Sequence, residues 1–335
     1  MKEASLYEKL EGSRVKCQLC AHNCVISAGK RGKCAVRENI DGILYTLVYG
    51  KLCSTAIDPI EKKPLFHFLP GSQTMSIATV GCNLKCLHCQ NYSISQYPSY
   101  HDGNITGAIH SPIDIVRAAL DNNCLSISYT YTEPTIFMEF ALDSARLAHD
   151  HGLKNIFVSN GFMSAQGAKE IIPFLDANNI DLKGDDEFYK NICKARLAPV
   201  QDTIRLMKSS GVWVEVTTLI IPGLNDSEKT LREIAGFIHS VDTAIPWHVS
   251  SFRPTYKLTD RPATSMNTLR KAYEIGVGAG LKYVYVGNMP GLGGEDTYCP
   301  KCKTVLIKRH GFNVISNKVK DGKCFECGGL IEGVL

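Results

Sequence analysis

No stretch of this sequence approaches the roughly 20 consecutive apolar residues that a membrane-spanning helix needs. The opening MKEASLYEKLEG carries no apolar signal core, so a cytoplasmic protein with no membrane partner is expected. Charge of one sign is in small excess. The formal net charge of +4 demands no polyanionic partner. There is no low-complexity tract and no internal repeat beyond an alternation of strand-like and helix-like segments, so neither a disordered linker nor a repeat array is expected. What is there is a chain of 335 residues, 44% of them apolar. That is enough to bury a sizeable core in one large α/β domain with small appendages.

A reducing compartment also excludes a disulfide framework, so the 14 cysteines need another account. Eleven fall in three clusters: Cys17, Cys20, Cys24 and Cys34; Cys82, Cys86 and Cys89; and Cys299, Cys302, Cys324 and Cys327. Clustered cysteines of this kind read as metal or iron–sulfur ligands. Cys53, Cys124 and Cys193 stand apart, and the last two read as small apolar fillers.

From residue 75 to about 290 the sequence alternates strand and helix, the pattern of parallel βα units. The strands are predicted at TMSIATV (74–80), LSISYTY (125–131), NIFVSN (155–160), NNIDLKG (178–184), VWVEVTTLII (212–221), PWHVSSF (246–252) and YVYVG (283–287). HSPIDIVRAALDNN opens a helix well, with Ser111 as N-cap, Pro112 in the first turn and Asp114 at the third position. A comparable start falls at Asp226 or Ser227. Phe137, Phe140, Ala141, Ser144, Ala145 and Ala148 recur at helical spacing and read as core. Six or seven units without a clear eighth suggest a partial, open barrel, with a doubly wound sheet as the alternative. Either places function at the carboxyl ends of the strands. Four segments follow: a cysteine-bearing segment over 1–50, an extended Pro-containing connector over 51–74, a core domain over 75–290, and a tail over 291–335 that begins GLGGED.

The cysteine triplet, Cys82-Asn-Leu-Lys-Cys86-Leu-His-Cys89, follows the first predicted strand. A cubane [4Fe–4S] cluster has four irons to ligate. Three thiolates leave one iron open, and an open position is what lets a metal centre hold a substrate. A zinc site with His88, His67 or Cys53 as fourth ligand is the alternative from spacing alone. The C-x3-C-x2-C pattern in this place resembles the radical SAM superfamily signature. The resemblance implies a partial (β/α)6 TIM-like barrel and an iron–sulfur cluster on Cys82, Cys86 and Cys89. It also implies S-adenosylmethionine chelated at the open iron, reductive cleavage to a 5′-deoxyadenosyl radical, and hydrogen abstraction. His88 occupies a position that is often aromatic in the family. Glu133, in YTYTEPT, stands where the family has an acidic acceptor for the methionine ammonium, although a glutamate starting a helix is also favoured by the macrodipole. Ser159 and Asn160, in VSNGF, match polar contacts to the methionine part, or else ordinary turn chemistry. Asp181 and Lys183 are two apart on a strand and share a face. The sixth strand ends HVSSFRP, and Arg253 is weighted above His248, since a lone strand histidine is more often structural.

Within the superfamily, DPIEKKPLFHFLPGS, GCNLKCLHCQNYSIS, SYTYTEPTIF, VSNGF, IDLKGD and IPGLND resemble the branch related to pyruvate formate-lyase activating enzymes, and most closely the AmmeMemoRadiSam system radical SAM enzymes. This implies an oxidoreductase acting on a peptide or protein. Reduced flavodoxin or ferredoxin would be the electron donor, and Memo-like and AMMECR-like proteins would be partners. Three departures bear on the activity. The activating enzymes carry an acidic residue where Val158 stands, their histidine at the end of the sixth strand falls on Arg253, and no inserted ferredoxin domain follows the triplet. Glycyl-radical-enzyme activation is therefore a candidate activity beside the leading one. Classes further off are a nucleic-acid-modifying protein and a non-catalytic zinc scaffold.

The tail's Cys299-Pro-Lys-Cys302 and Cys324-Phe-Glu-Cys327 pairs form a zinc-ribbon pattern, since four thiolates around zinc suit a segment too short to bury its own core. Its lysines, Lys301, Lys303, Lys308, Lys318, Lys320 and Lys323, lack interleaved aromatics and read as a solvated face rather than a nucleic-acid contact. Cys17, Cys20, Cys24 and Cys34 allow either structural zinc, slightly favoured, or an auxiliary iron–sulfur cluster, with His22 as a substitute ligand.

Overall fold

The computed structural model describes residues 1–287 and 294–335. The expected boundary at 290 and 291, with the first part of GLGGED, lies outside them. Among the described residues the central sheet has eight strands: β1 (Ser54–Pro59), β2 (Gln73–Ala78), β3 (Ser126–Tyr129), β4 (Lys154–Ser159), β5 (Ala177–Asp181), β6 (Trp213–Ile220), β7 (Trp247–Ser251) and β8 (Val284–Gly287). Strands β2 to β8 are parallel and neighbour one another in chain order, and β1 pairs antiparallel with β2. A doubly wound sheet reverses its strand order at a switch point. This sheet never reverses, so it curls as an open, barrel-like sheet with β1 and β8 at its edges. Buried parallel strands read as near-continuous apolar runs, which is why all seven were visible in the sequence.

Six helices cross between the parallel strands: α1 (Pro112–Asp121), α2 (Met138–Asp150), α3 (Ala165–Ile171), α4 (Ala198–Ser209), α5 (Glu228–Val241) and α6 (Met266–Gly278). Helix α1 starts as its sequence dictates. The Asp114 carboxylate accepts from the Ser111 backbone N–H at 2.8 Å and from its hydroxyl at 2.6 Å. Ser227 is the N-cap of α5, its hydroxyl accepting from the Thr230 N–H. The Phe140, Ala141, Ser144, Ala145 and Ala148 stripe of α2 is buried core. No helix among the described residues is long and apolar enough to cross a membrane.

The 51–74 segment is more than a connector. Its first half becomes β1, in register with β2 from Ser54 opposite Ala78 to Pro59 opposite Gln73. Its second half tucks beneath the amino-terminal ends of the strands. There Glu215 of β6 accepts from the backbone N–H of Phe66 and His67, and Asn179 of β5 donates to the Pro64 carbonyl at 2.7 Å. Lys63 and Asp58, both buried, pair at 2.6 Å. Local pattern cannot reveal this, because the groups that satisfy the segment lie some 150 residues away. The tail docks onto the same place: Arg309 donates to the Phe66 carbonyl, and the Val334 N–H to that of His67. The amino-terminal strands pack on the other side, with Val15, Leu19, Ile26 and Val36 sharing one apolar core with Ile77 and Ile136.

Candidate functional site

The cysteine triplet sits in the loop that leaves the carboxyl end of β2. Gly81 makes that exit possible. Its φ is +99°, and a Cβ there would lie 2.5 Å from Val36 Cγ1 and 3.1 Å from the Cys34 carbonyl oxygen. The loop is then pinned by backbone bonds from Lys85 N–H to the Cys193 carbonyl (3.1 Å) and from Leu87 N–H to the Ile192 carbonyl (3.0 Å). Donors surround the sulfurs. Cys82 Sγ accepts from the Leu84 N–H at 3.4 Å and from Asn160 Nδ2 at 3.7 Å, and Cys89 Sγ lies 3.2 Å from Ser95 Oγ. Burial pushes the Cys82 and Cys89 thiols up, and Cys86 is pushed up by its contact with Cys193 and by burial. In that setting the thiols deprotonate when a metal cation compensates the charge, so loading and proton release go together.

A mononuclear zinc site would require the triplet sulfurs and a fourth ligand to converge. They do not. Among the described residues, the ligand atoms that come within 4.8 Å of one another here are those of Cys86, His88 and Cys193, without Cys82 or Cys89. The other suggested fourth ligands are engaged elsewhere: His67 lies between the Glu332 carbonyl (2.7 Å) and the Tyr285 hydroxyl (2.6 Å), and Cys53 donates to the Ala78 carbonyl at 3.5 Å. Three spread thiols ringed by N–H and O–H donors fit a polynuclear cluster. His88 adds a second sign of a ligand. It is buried, its Nδ1 has no hydrogen-bond partner, and burial together with Lys183 pushes its pKa down to about 3. Cys193, read as a filler, is indeed fully buried, but against Cys86 and His88.

The strand ends converge on this loop. Glu133 is fully buried after β3. Its Oε1 accepts from the Thr135 N–H (3.0 Å), the Thr135 hydroxyl (2.5 Å) and the Ser159 hydroxyl (2.9 Å), and its Oε2 from the Asn160 N–H (2.8 Å). The helix-start reading of Glu133 is thus realised, and so is its proximity to Ser159 and Asn160. Burial still holds its carboxyl above the ordinary value. Asn160 reaches on to Asn83 Oδ1 at 2.8 Å, which ties the end of β4 to the cysteine loop. At the end of β5, Lys183 donates to Asp181 at 2.6 Å, with Lys183 the more enclosed of the two. Asp181 holds Lys183 well above its ordinary pKa against the opposing effect of burial, so it is charged, and it lies close to Cys86. Tyr189 fixes that strand end by donating to the Asp181 carbonyl and accepting from the Lys183 N–H, each at 3.1 Å. Arg253 is exposed beyond β7 and makes no hydrogen bond or ion pair among the described residues. His248 sits near the start of β7, 2.6 Å from Glu215 and away from the triplet. Asn83, Ser95, Thr135 and Tyr189 were not singled out from sequence, and Cys193 was read only as a filler. Only Thr135, two residues into a helix start, left a local signal.

The tail's four sulfurs converge. Cys299 and Cys327 lie 3.6 Å apart, Cys302 and Cys324 lie 3.7 Å apart, and all four fall within 4.8 Å of one another. A single tetrahedral ion with metal–sulfur bonds of about 2.3 Å needs sulfurs about 3.8 Å apart. Cys17, Cys20, Cys24 and Cys34 instead line one pocket.

Comparison with known proteins agrees with this arrangement. The family model described as the radical SAM superfamily matches residues 76–238. An uncharacterized protein of Methanocaldococcus jannaschii is 48% identical over 338 residues, covering 100% of both chains. The pyruvate formate-lyase-activating enzyme of Clostridium pasteurianum is 22% identical over 195 residues, 56% of this chain and 81% of its own. Among solved structures, a radical SAM methyltransferase from Sphaerobacter thermophilus has the same fold, with a TM-score of 0.51 at 14% identity over 66% of this chain and 68% of that one. The chain belongs to the radical SAM superfamily, related within it to the pyruvate formate-lyase-activating enzymes.

Proposed function

We propose that Cys82, Cys86 and Cys89 ligate a [4Fe–4S] cluster, and that Glu133, Ser159, Asn160, Asp181, Lys183, Arg253 and His88 bind S-adenosylmethionine beside it. Such a cluster, when bound, supplies the electron that cleaves the sulfonium–C5′ bond, and the 5′-deoxyadenosyl radical abstracts hydrogen from the substrate. The observation that carries this reading is the meeting of three spread thiols with one buried carboxylate and one enclosed ammonium at the same strand ends. S-adenosylmethionine brings an ammonium, a carboxylate and a sulfonium, and each needs a partner in a partly desolvated mouth. Glu133 Oε2, with one hydrogen bond from the chain, can accept from the ammonium. Lys183 offers its charge to the carboxylate, and Asp181 holds Lys183 in place. Asn160 and the Leu84 N–H stabilise the Cys82 thiolate. His88 and Phe188, with ring centroids 5.7 Å apart, form an apolar wall that excludes water.

The motifs shared with the AmmeMemoRadiSam system enzymes support an oxidoreductase acting on a protein or peptide. Reduced flavodoxin or ferredoxin serves as donor, with Memo-like and AMMECR-like proteins as partners. Likeness to the Clostridium pasteurianum activating enzyme favours one second reading, activation of a glycyl radical enzyme. A glycine-centred radical signal in a partner after turnover distinguishes it from the first. The tail's sulfur spacing supports zinc held by Cys299, Cys302, Cys324 and Cys327 in a ribbon that braces residues 295–335. The central test is replacement of Cys82, Cys86 or Cys89 by alanine in the anaerobically reconstituted chain. Each variant is expected to lose 5′-deoxyadenosine formation under reducing conditions, and formation retained by any of the three rejects the assignment.

A further inference from the structure

The two four-cysteine sets of this chain differ in geometry. The carboxy-terminal set is drawn together as a single ion requires. The amino-terminal set is not: no three of the sulfurs of Cys17, Cys20, Cys24 and Cys34 come within 4.8 Å of one another. The four line one small pocket, together with His22 and Arg37. One zinc ion would have to pull these sulfurs to about 3.8 Å separations, whereas the thiolates of a [4Fe–4S] cluster sit further apart, each on its own iron.

Arg37 supplies a second, independent sign. It is 2% exposed, and its Nη2 donates to Glu139 Oε2 at 2.6 Å. Its Nε and Nη1 have no partner at all, although the side chain lines the pocket. Buried donors are seldom left unmade, so a guanidinium facing a cysteine-lined pocket with two nitrogens open points to an anionic, acceptor-rich occupant. Thiolates and bridging sulfides are such acceptors.

We propose that Cys17, Cys20, Cys24 and Cys34 bind a second [4Fe–4S] cluster, with Arg37 donating hydrogen bonds to its sulfurs. All four irons are then taken by thiolates, so this cluster has no open position for a substrate. The triplet by contrast leaves one. The two sites are neighbours. The Cys34 carbonyl would lie 3.1 Å from a Cβ on Gly81, and His22 Nε2 lies 2.8 Å from the carbonyl of Asn83, so residues on either side of Cys82 touch the amino-terminal segment.

The test is metal stoichiometry of the full chain, reconstituted anaerobically with iron and sulfide in the presence of zinc. The chain is expected to hold about eight irons, about eight sulfides and about one zinc. About four irons and about two zincs per chain would overturn the proposal. A variant with Cys82, Cys86 and Cys89 all replaced by alanine separates this site from the triplet. It is expected to keep about four irons with the Mössbauer signature of a [4Fe–4S] cluster. Loss of all iron from that variant, with its zinc content doubled, rejects the second cluster. Iron unchanged between wild type and variant rejects the triplet assignment instead. Should the variant fail to fold, the wild-type ratio of iron to zinc decides alone.

Discussion

The two ends of the barrel both hold buried charge, and they treat it differently. At the amino-terminal end of the strands Glu215 is fully buried, and four donors meet it: the N–H groups of Phe66 (3.0 Å) and His67 (2.8 Å), Trp213 Nε1 (3.0 Å) and His248 Nε2 (2.6 Å). His67 passes on to Tyr285, and Tyr285 to Thr297 of the tail at 2.8 Å. Each of those side chains finds a protein partner, although Arg309 Nε and Glu61 Oε2 beside them are buried without a hydrogen bond. At the carboxyl end His88 Nδ1 is buried with none, and Arg253 stands exposed and unpaired among the described residues. Buried polar groups in native proteins are normally satisfied. A network closed on itself therefore reads as architecture, and one left open reads as a site waiting for something. Glu133 stands between these cases, filled on one oxygen and nearly free on the other.

The contrast breaks most readily at Glu215. Replacing it by alanine removes a buried charge from His248 and leaves two backbone donors of the 60–68 segment without partners. Breaking a buried pair of this kind costs about 3–5 kcal/mol. Glu215→Ala is expected to lower the midpoint of thermal unfolding sharply, while the variant that does fold still binds S-adenosylmethionine when cooled. Unchanged stability with lost cofactor binding would place this end in the active site and erase the distinction.

His67 gives a smaller, pH-dependent effect. Burial pushes its pKa down from about 6.5 to about 4, so it is neutral in the folded protein. Nδ1 then donates to the Glu332 carbonyl, and Nε2 accepts from the Tyr285 hydroxyl. The unfolded chain takes up a proton on this ring near pH 6.5, and the folded chain does so only near pH 4. The stability contributed is complete above 6.5 and is lost as pH falls towards 4, with a slope of at most about 1.4 kcal/mol per pH unit. Urea midpoints of wild type and His67→Gln between pH 7 and 4.5 should converge as the solution is acidified. Parallel curves would mean that His67 is already protonated in the fold.

How much of this was legible in sequence follows the same division. Parallel strands buried on both faces announce themselves as apolar runs, and Ser111 and Ser227 announce helix starts. Asp181 and Lys183 were visible as a pair because period two fixes which residues share a strand face. Glu215 was invisible. In VWVEVTTLII it is one polar residue among strand formers, and what makes it matter is a segment 150 residues earlier folding beneath it. Cys193 is the buried core residue its isolation suggested, but a lone cysteine carries no sign that Cys86 will be its neighbour. His248 and Arg253 lie five residues apart in one motif, yet β7 sends the first to the closed end and the second to the open one.

The smallest expected effect is the one that best sharpens the comparison, because it concerns a pair that is closed and still faces the site. Lys183 and Asp181 satisfy each other at 2.6 Å, as an architectural ion pair does. Yet Lys183 is also close to Cys86 and Cys193, so its ammonium faces the cysteine loop as well as the sheet. If it serves the cofactor, Lys183→Met keeps the fold and the cluster but weakens S-adenosylmethionine binding roughly tenfold, about 1.4 kcal/mol, the loss of one charge-assisted contact. Calorimetric titration of the anaerobically reconstituted variant measures this directly, and its iron content shows whether the triplet is still loaded. Were the pair architectural, the same substitution would leave Asp181 partly buried and unpaired. The melting temperature would fall while affinity stayed constant, and Lys183 would join Glu215 on the structural side of the barrel.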